Sequence, residues 1–105
     1  MGTVIVSEDT LFEWDMEKNE NNIKKHGFGF DEITEVFKDP YLLTRYDDIH
    51  SQEEQRFYSI GCLNGVLIIV VYHTERNNRV RIISARRAEK KLQEVYYDYV
   101  KKVNG

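Results

Sequence analysis

At 105 residues, with 41% hydrophobic and 12% aromatic side chains, the chain has enough apolar surface for one compact domain around a single modest core. The longest apolar run, Val66 to Tyr72, has strand length and falls well short of the roughly eighteen residues a membrane helix needs. The lone Cys62 excludes an internal disulfide, and without a second Cys at zinc-ligand spacing it reads as strand packing. The net charge of −3 is unpromising for a polyanion ligand, but it hides an asymmetry. Residues 1–75 carry six Lys/Arg against fifteen Asp/Glu, whereas residues 76–105 carry nine against three. Phosphate binding follows local potential, so the basic last third suits RNA and the acidic remainder suits a basic partner.

The N-terminal stretch carries Val4-Ile5-Val6 without a basic leader or a small-residue cleavage site, so a cytoplasmic location is expected. Residues 1–10 read as an N-terminal extension or as a first strand, with Leu11 to Trp14 extended. Asp15 is suited to cap a following helix that Gly27 closes, and Met16 and Ile23 supply only a narrow apolar stripe. Phe30, Ile33, Val36 and Phe37 recur at helical spacing, predicting a second helix that ends before Asp39-Pro40. Tyr41 to Tyr46 reads as a strand, followed by a mobile polar loop through Asp47, Asp48, His50 and Ser51. Asn64-Gly65 joins Phe57–Leu63 to Val66–His73 as a hairpin with a type I′ turn, and Asn77-Asn78 turns the chain into a strand at Arg79–Ala85. Val66 to Tyr72 is apolar on both faces, which predicts a central strand. Ala88, Leu92, Val95, Tyr96, Tyr99 and Val103 line one side of a C-terminal helix, with Lys90, Lys91, Lys101 and Lys102 elsewhere on it.

Two-residue turns pair Phe57 with Tyr72, Thr74 with Arg81 and Tyr72 with Ile83. That register places Ile60, Ile69, Val71, Val80 and Ile82 on the helix-covered face and Tyr72, Thr74, Arg76, Arg79 and Arg81 on the other. Guanidinium groups pair bidentately with phosphate, and a Tyr ring offers a base a stacking surface worth roughly 1–3 kcal/mol. A three-residue turn shifts the register by one and exchanges the faces, and an Arg-rich edge strand that merely resists aggregation is the alternative reading. A second group, Lys18, Asn19, Asn22, Lys25 and His26, falls within an arc of about 120° on the first helix. His26 there is either a proton-transfer group or a capping residue packed beside Phe28. The scattered carboxylates show no two-metal spacing, so no metal and no cofactor is expected.

The string Phe12-Glu13-Trp14-Asp15 with Lys18-Asn19, Asn22 and Lys25-His26-Gly27 resembles the N-terminal signature of BrnT-type toxins. The resemblance continues through Phe30-Asp31-Glu32, Asp39-Pro40, Glu54-x-Arg56 leading to Ile60-Gly61, Tyr72 with Thr74-Glu75-Arg76, and Arg81-Ile82-Ile83-Ser84-Ala85-Arg86. It covers about residues 11–100, the first ten falling outside the pattern, and within a single domain over 1–105 it implies an α+β, RelE-like fold: a small, mainly antiparallel sheet with two N-terminal helices packed on one face and a C-terminal helix. It also implies a metal-independent endoribonuclease that inhibits translation and is neutralised by a BrnA-type antitoxin with a ribbon-helix-helix domain, promoter DNA being engaged only through that complex. By motif position the functional residues are Lys25, His26, Arg56, Arg81 and Arg86, followed by Glu75, Arg79 and Tyr72. His26 or Glu75 is expected to handle the proton and the three Arg to stabilise the phosphorane, with Arg76 and Lys18 adding RNA contacts. The competing reading is a non-catalytic regulator that binds RNA or antitoxin and takes part in autorepression.

Overall fold

The structure, a computed structural model, describes residues 3–51 and 54–105; Met1 and Gly2, part of the expected N-terminal extension, lie outside it. In chain order the elements are β1 (Val4–Val6), β2 (Phe12–Asp15), α1 (Met16–His26), α2 (Phe30–Ile33) continued by a 3₁₀ turn (Thr34–Lys38), β3 (Leu43–Tyr46), β4 (Phe57–Leu63), β5 (Leu67–Arg76), β6 (Arg79–Arg87) and α3 (Lys90–Asn104). The strands form one sheet in the order β1-β2-β6-β5-β4-β3. Every neighbouring pair is antiparallel except β2 and β6, so the sheet is mixed, one parallel pair interrupting the expected antiparallel pattern. Parallel pairing needs a long connection, and the helices and β3–β5 meander between β2 and β6 supply it.

The expected central strand is β5, where Ile68, Ile69, Val70 and Val71 are all buried because both faces of the sheet are covered. On one face Ile69, Val71 and Ile82 meet Phe12, Trp14, Phe30, Ile33 and Val36. On the other, Ile60, Ile68 and Val70 meet Ala88 and Tyr96, with Leu92, Val95, Val100 and Cys62 packed around them. Val100 thus takes the place expected of Val103, which is exposed at the helix end. Burial, followed by the Asp39 carboxylate, pushes the Cys62 thiol above its usual range, in keeping with a packing role.

Ile60 sits on the opposite side from that expected, and the turn explains it. Asn64 and Gly65 take positive φ of 55° and 72°, but the ladder closes at Leu63 and Leu67, leaving Asn64, Gly65 and Val66 in the loop. Phe57 therefore pairs with His73 instead of Tyr72. The Asn77-Asn78 turn holds the two-residue register, with Thr74 opposite Arg81. Further along, a bulge between Tyr72 and His73 sets Tyr72 against Ser84 and leaves Ile83 as the extra residue, which displaces the expected Tyr72–Ile83 pair. The bulge lets Ile82 and Ala85 enter the same core although they are three residues apart.

Asp15 caps α1 as expected, accepting from the Glu17 and Lys18 amides at 2.9 and 3.1 Å, and Gly27 ends it at φ 82°. Met16 and Ile23 stay exposed, and Asn22 is the one buried residue of the helix. The β2–β6 ladder stops at Trp14 and Ile82. Beyond it the Asn22 side chain accepts from the Ala85 amide at 2.9 Å and donates to the Phe28 carbonyl at 2.9 Å. Only the second of the two N-terminal helices therefore supplies apolar cover for the face; α1 is stitched to β6 through its polar side. Asn19 accepts from the Phe30 amide at 2.7 Å and so serves the start of α2, whose own cap, Gly29, has no side chain to offer.

The other polar anchor is Asp39, which accepts from the Tyr41 amide, the Cys62 amide and the Tyr96 hydroxyl at 2.9, 2.8 and 2.6 Å. Deeper in the sheet, His73 is buried between Phe37 and Phe57, with its Nε2 2.7 Å from Ser59 Oγ, which in turn lies 2.7 Å from Thr44 Oγ1. Desolvation pushes His73 down to about 4. In the unfolded chain an imidazole titrates near 6.5, so between these values the unfolded state binds the extra proton and stability falls as pH falls. Urea unfolding should show a contribution from His73 of about 3 kcal/mol lost between pH 6.5 and 4. H73Q should lack that part of the slope; an unchanged slope would show that His73 is not the group responsible.

Candidate functional site

Three adjoining cavities run along β6 where neither α2 nor α3 covers it. The first, of about 350 Å³, is lined by Lys18, His50, Glu54, Arg56, Thr74, Arg76 and Arg81, with Ile82 and Ile83. The second, of about 320 Å³, is lined by His26, His50, Arg56, Tyr72, Ser84 and Arg86. The third, of about 310 Å³, is lined by Lys18, Asn21, Asn22, Lys25, His26, Ile83 and Ser84. Shared walls make them one cleft: His50 and Arg56 join the first two, His26 and Ser84 the second and third, Lys18 and Ile83 the first and third.

Local folding explains the convergence. The Asn22 stitch sets the Lys18–Lys25–His26 side of α1 beside the bulged stretch of β6. The segment after β3, expected to be mobile, is tied at its neck. The Asp47 amide donates to the Arg56 carbonyl at 2.8 Å, Ser51 Oγ donates to the Asp47 carbonyl at 2.7 Å, and the Arg56 amide donates to Ser51 Oγ at 2.8 Å. This knot delivers His50, Glu54 and Arg56 to the cleft.

Of the residues singled out from the sequence, Lys18, Lys25, His26, Arg56, Tyr72, Arg76, Arg81 and Arg86 line the cleft. Glu75 does not. Strand alternation turns it away from Thr74 and Arg76, opposite Val80, where it is exposed, so the structure gives it no place in the cleft. Arg79 is drawn aside, its Nε donating to the Thr10 carbonyl at 3.1 Å. The sequence puts Thr74 on the Arg-rich face and Glu13 and Glu54 in the family motif without giving them a role, and His50 only in the polar loop. An exposed-loop His carries no periodic signal, and a carboxylate's partner across the sheet is invisible without the register.

The guanidinium groups are not bare. Glu54 grips Arg76 through two bonds of 2.7 and 2.8 Å, and that guanidinium holds the Glu54 carboxyl below its usual range. Glu13, its side chain 9% exposed, lies 2.6 Å from Arg81 and 3.7 Å from Arg79. Arg86 pairs with Glu89 at 3.1 Å and lies over the Tyr72 ring, 6.0 Å from its centroid, so one face of the expected stacking platform is already taken. Lys18, Lys25 and Arg56 make no ion pair among the described residues. Thr74 is buried, and its hydroxyl lacks a partner among the described residues although Thr74 lines the cleft. A buried hydroxyl without a partner costs about 1–3 kcal/mol. Among the described residues no group of three or more His, Cys, Asp or Glu is placed to hold a metal ion, and no helix is long and apolar enough to cross a membrane.

Residues 14–91 match the family model described as the ribonuclease toxin, BrnT, of type II toxin–antitoxin systems. The chain belongs to the BrnT toxin family. It is similar to the crystal structure of the Brucella abortus ribonuclease toxin BrnT, at 29% identity and a TM-score of 0.57 over 73% of this chain and 94% of that one. No curated protein matches the chain. Membership makes this a type II toxin and implies an RNA substrate and an antitoxin partner. The matched span runs from Trp14 through Lys91 and therefore contains the cleft residues, from Lys18 to Arg86.

The Arg81–Glu13 pair is part of the fold as well as of the cleft wall. R81A leaves the nearly buried Glu13 carboxylate with Arg79 alone, 3.7 Å away, and should cost about 2–3 kcal/mol. E13Q, which keeps a partner for Arg81, should cost about 1 kcal/mol. Equal losses in urea midpoints would contradict this asymmetry.

Proposed function

We infer that the chain is an endoribonuclease that binds and cleaves RNA in this cleft without a metal ion. The observation that carries the reading is the meeting of Lys18 and Arg56 in one cavity, neither with a carboxylate partner among the described residues, with Lys25 lining the adjoining cavity. Cations are what a phosphodiester requires as charge builds on its non-bridging oxygens. Lys18, Lys25 and Arg76 hold the backbone, Arg56, Arg81 and Arg86 stabilise the transition state, and Tyr72 packs against a base. His26, at the rim shared by two cavities, handles a proton; Glu75 is left out of the mechanism.

The chain is proposed to act as one domain of RelE-like kinship in the cytoplasm, to stop translation by cutting RNA, and to be neutralised by a BrnA-type antitoxin with a ribbon-helix-helix domain. The excess of carboxylates over residues 1–75 supports a basic partner segment, and promoter DNA is reached only through the antitoxin complex. The second reading, a regulator that binds RNA without cutting it, is favoured by one observation, the ion pairing of Arg76, Arg81 and Arg86.

Purified protein incubated with RNA in EDTA separates the two. Cleavage should persist in EDTA, and R56A should lower kcat/KM by about 10²–10³-fold while the fold stays intact. Binding without cleavage in every buffer would establish the regulator; loss of cleavage in EDTA would establish a metal-dependent enzyme.

A further inference from the structure

Cutting RNA through its own 2′-hydroxyl moves two protons. One leaves the nucleophile, and one must reach the departing 5′-oxygen. His26 accounts for a single transfer. The cleft contains another imidazole that the sequence did not single out: His50 lines the cavity that contains His26 and also the neighbouring cavity of Thr74 and Arg76. Its Nδ1 lies 2.9 Å from Oδ2 of Asp47, whose side chain is 7% exposed, while the imidazole itself is 55% exposed. A carboxylate fixed on one ring nitrogen selects the tautomer and the ring orientation and leaves the other nitrogen, Nε2, for substrate.

Asp47 is itself held in place. Its amide and carbonyl belong to the hydrogen-bonded knot that closes on Arg56 and Ser51, so the imidazole and the Arg56 guanidinium leave the same short loop. Arg56 lines both cavities that contain His50. A phosphodiester on Arg56 therefore has one imidazole from the loop and one from the end of α1 within a single cavity of about 320 Å³.

We propose that His50, positioned by Asp47, is the second proton-transfer residue and works with His26 on a phosphodiester held at Arg56. One imidazole takes the 2′-hydroxyl proton as O2′ forms its bond to phosphorus. The P–O5′ bond breaks, and the other imidazolium gives its proton to O5′. The products are a 2′,3′-cyclic phosphate and a 5′-hydroxyl, with no net gain or loss of protons and no co-reactant. Asp47 is a positioning residue; His50 touches the reacting atoms. The proposal rests on the ribonuclease reading of the cleft.

The test is single-turnover cleavage of a short RNA by the full chain, comparing wild type, H50A, H26A, D47N and R56A. H50A should slow cleavage by about 10²–10⁴-fold with unchanged RNA affinity, and free imidazole should restore part of the loss. D47N should lower the single-turnover rate by a smaller factor and leave RNA affinity in place. A substrate with sulfur at the bridging 5′ position needs no proton on its leaving group, so it should rescue one of H50A and H26A and not the other. A cyclic phosphate end on the product supports the route; a 3′-hydroxyl end overturns it. H50A at the wild-type rate, or sulfur rescue of both histidine variants or of neither, overturns the dyad, and a loss in R56A at the same time leaves the ribonuclease cleft standing. Full activity in both R56A and H50A would remove the cleft reading together with the dyad.

Discussion

One side-chain amide ties the fold to its cleft. Asn22 is the buried residue of α1, and it stands where a strand would otherwise continue beside β6, accepting from the Ala85 amide and donating to the Phe28 carbonyl. An apolar side chain at this position would strand a backbone N–H in the interior. The helix can therefore be almost free of apolar cover, with Met16 and Ile23 exposed, because its seat is polar and directional. That seat also fixes the side of α1 that faces the cleft. Lys18, Lys25 and His26 share an arc with Asn22, so the hydrogen bonds that hold the helix aim the cations at Ile83 and Ser84.

The cleft wall is built from both charges. Glu54, Glu13 and Glu89 fix the guanidinium groups of Arg76, Arg81 and Arg86, which sets their geometry in advance but lowers the local positive potential. The division of labour follows exposure. Arg81 and Glu13 form a mostly buried pair, so Arg81 acts from a fixed place in the wall, whereas Arg76 and Glu54 are each about half exposed and solvent screens their attraction. The cations without such partners among the described residues, Lys18, Lys25 and Arg56, come from α1 and the loop before β4. The net charge of −3 is thus compatible with a polyanion site, because the carboxylates are spread over the chain while these groups meet in one place.

Local chemistry made much of this architecture legible in the sequence. Asp15 and Gly27 bracket α1, Asn77-Asn78 closes a two-residue turn, and an apolar run of the right length marks the central strand. What the pattern did not carry was counting along the ladder. Val66 joining the loop after Asn64-Gly65 sent Ile60 to the α3 side, and the Ile83 bulge separated Tyr72 from its expected partner. Each shift is one residue, and one residue exchanges faces. In the site, the residues of the family motif came together except for Glu75 and Arg79. Glu75 fails by simple alternation, and Arg79 is held by Thr10, a contact across 69 residues that no local pattern encodes. Thr74 and the carboxylates were legible as members of the basic face and the motif, but their partners, and the place of His50, lie across the fold where no local pattern reaches.

The central claim is that a single surface, bounded by α1, the loop before β4 and the bulged part of β6, receives RNA. Backbone and side-chain NMR shifts recorded while titrating a non-cleavable oligonucleotide, methylated at its 2′-oxygens, address it directly. The account requires the largest changes at Lys18, Lys25, His26, Arg56 and Thr74 together, with the opposite face around Ile5, Asp9 and Thr34 unaffected. Changes concentrated on that opposite face, or none at saturating oligonucleotide, would contradict it.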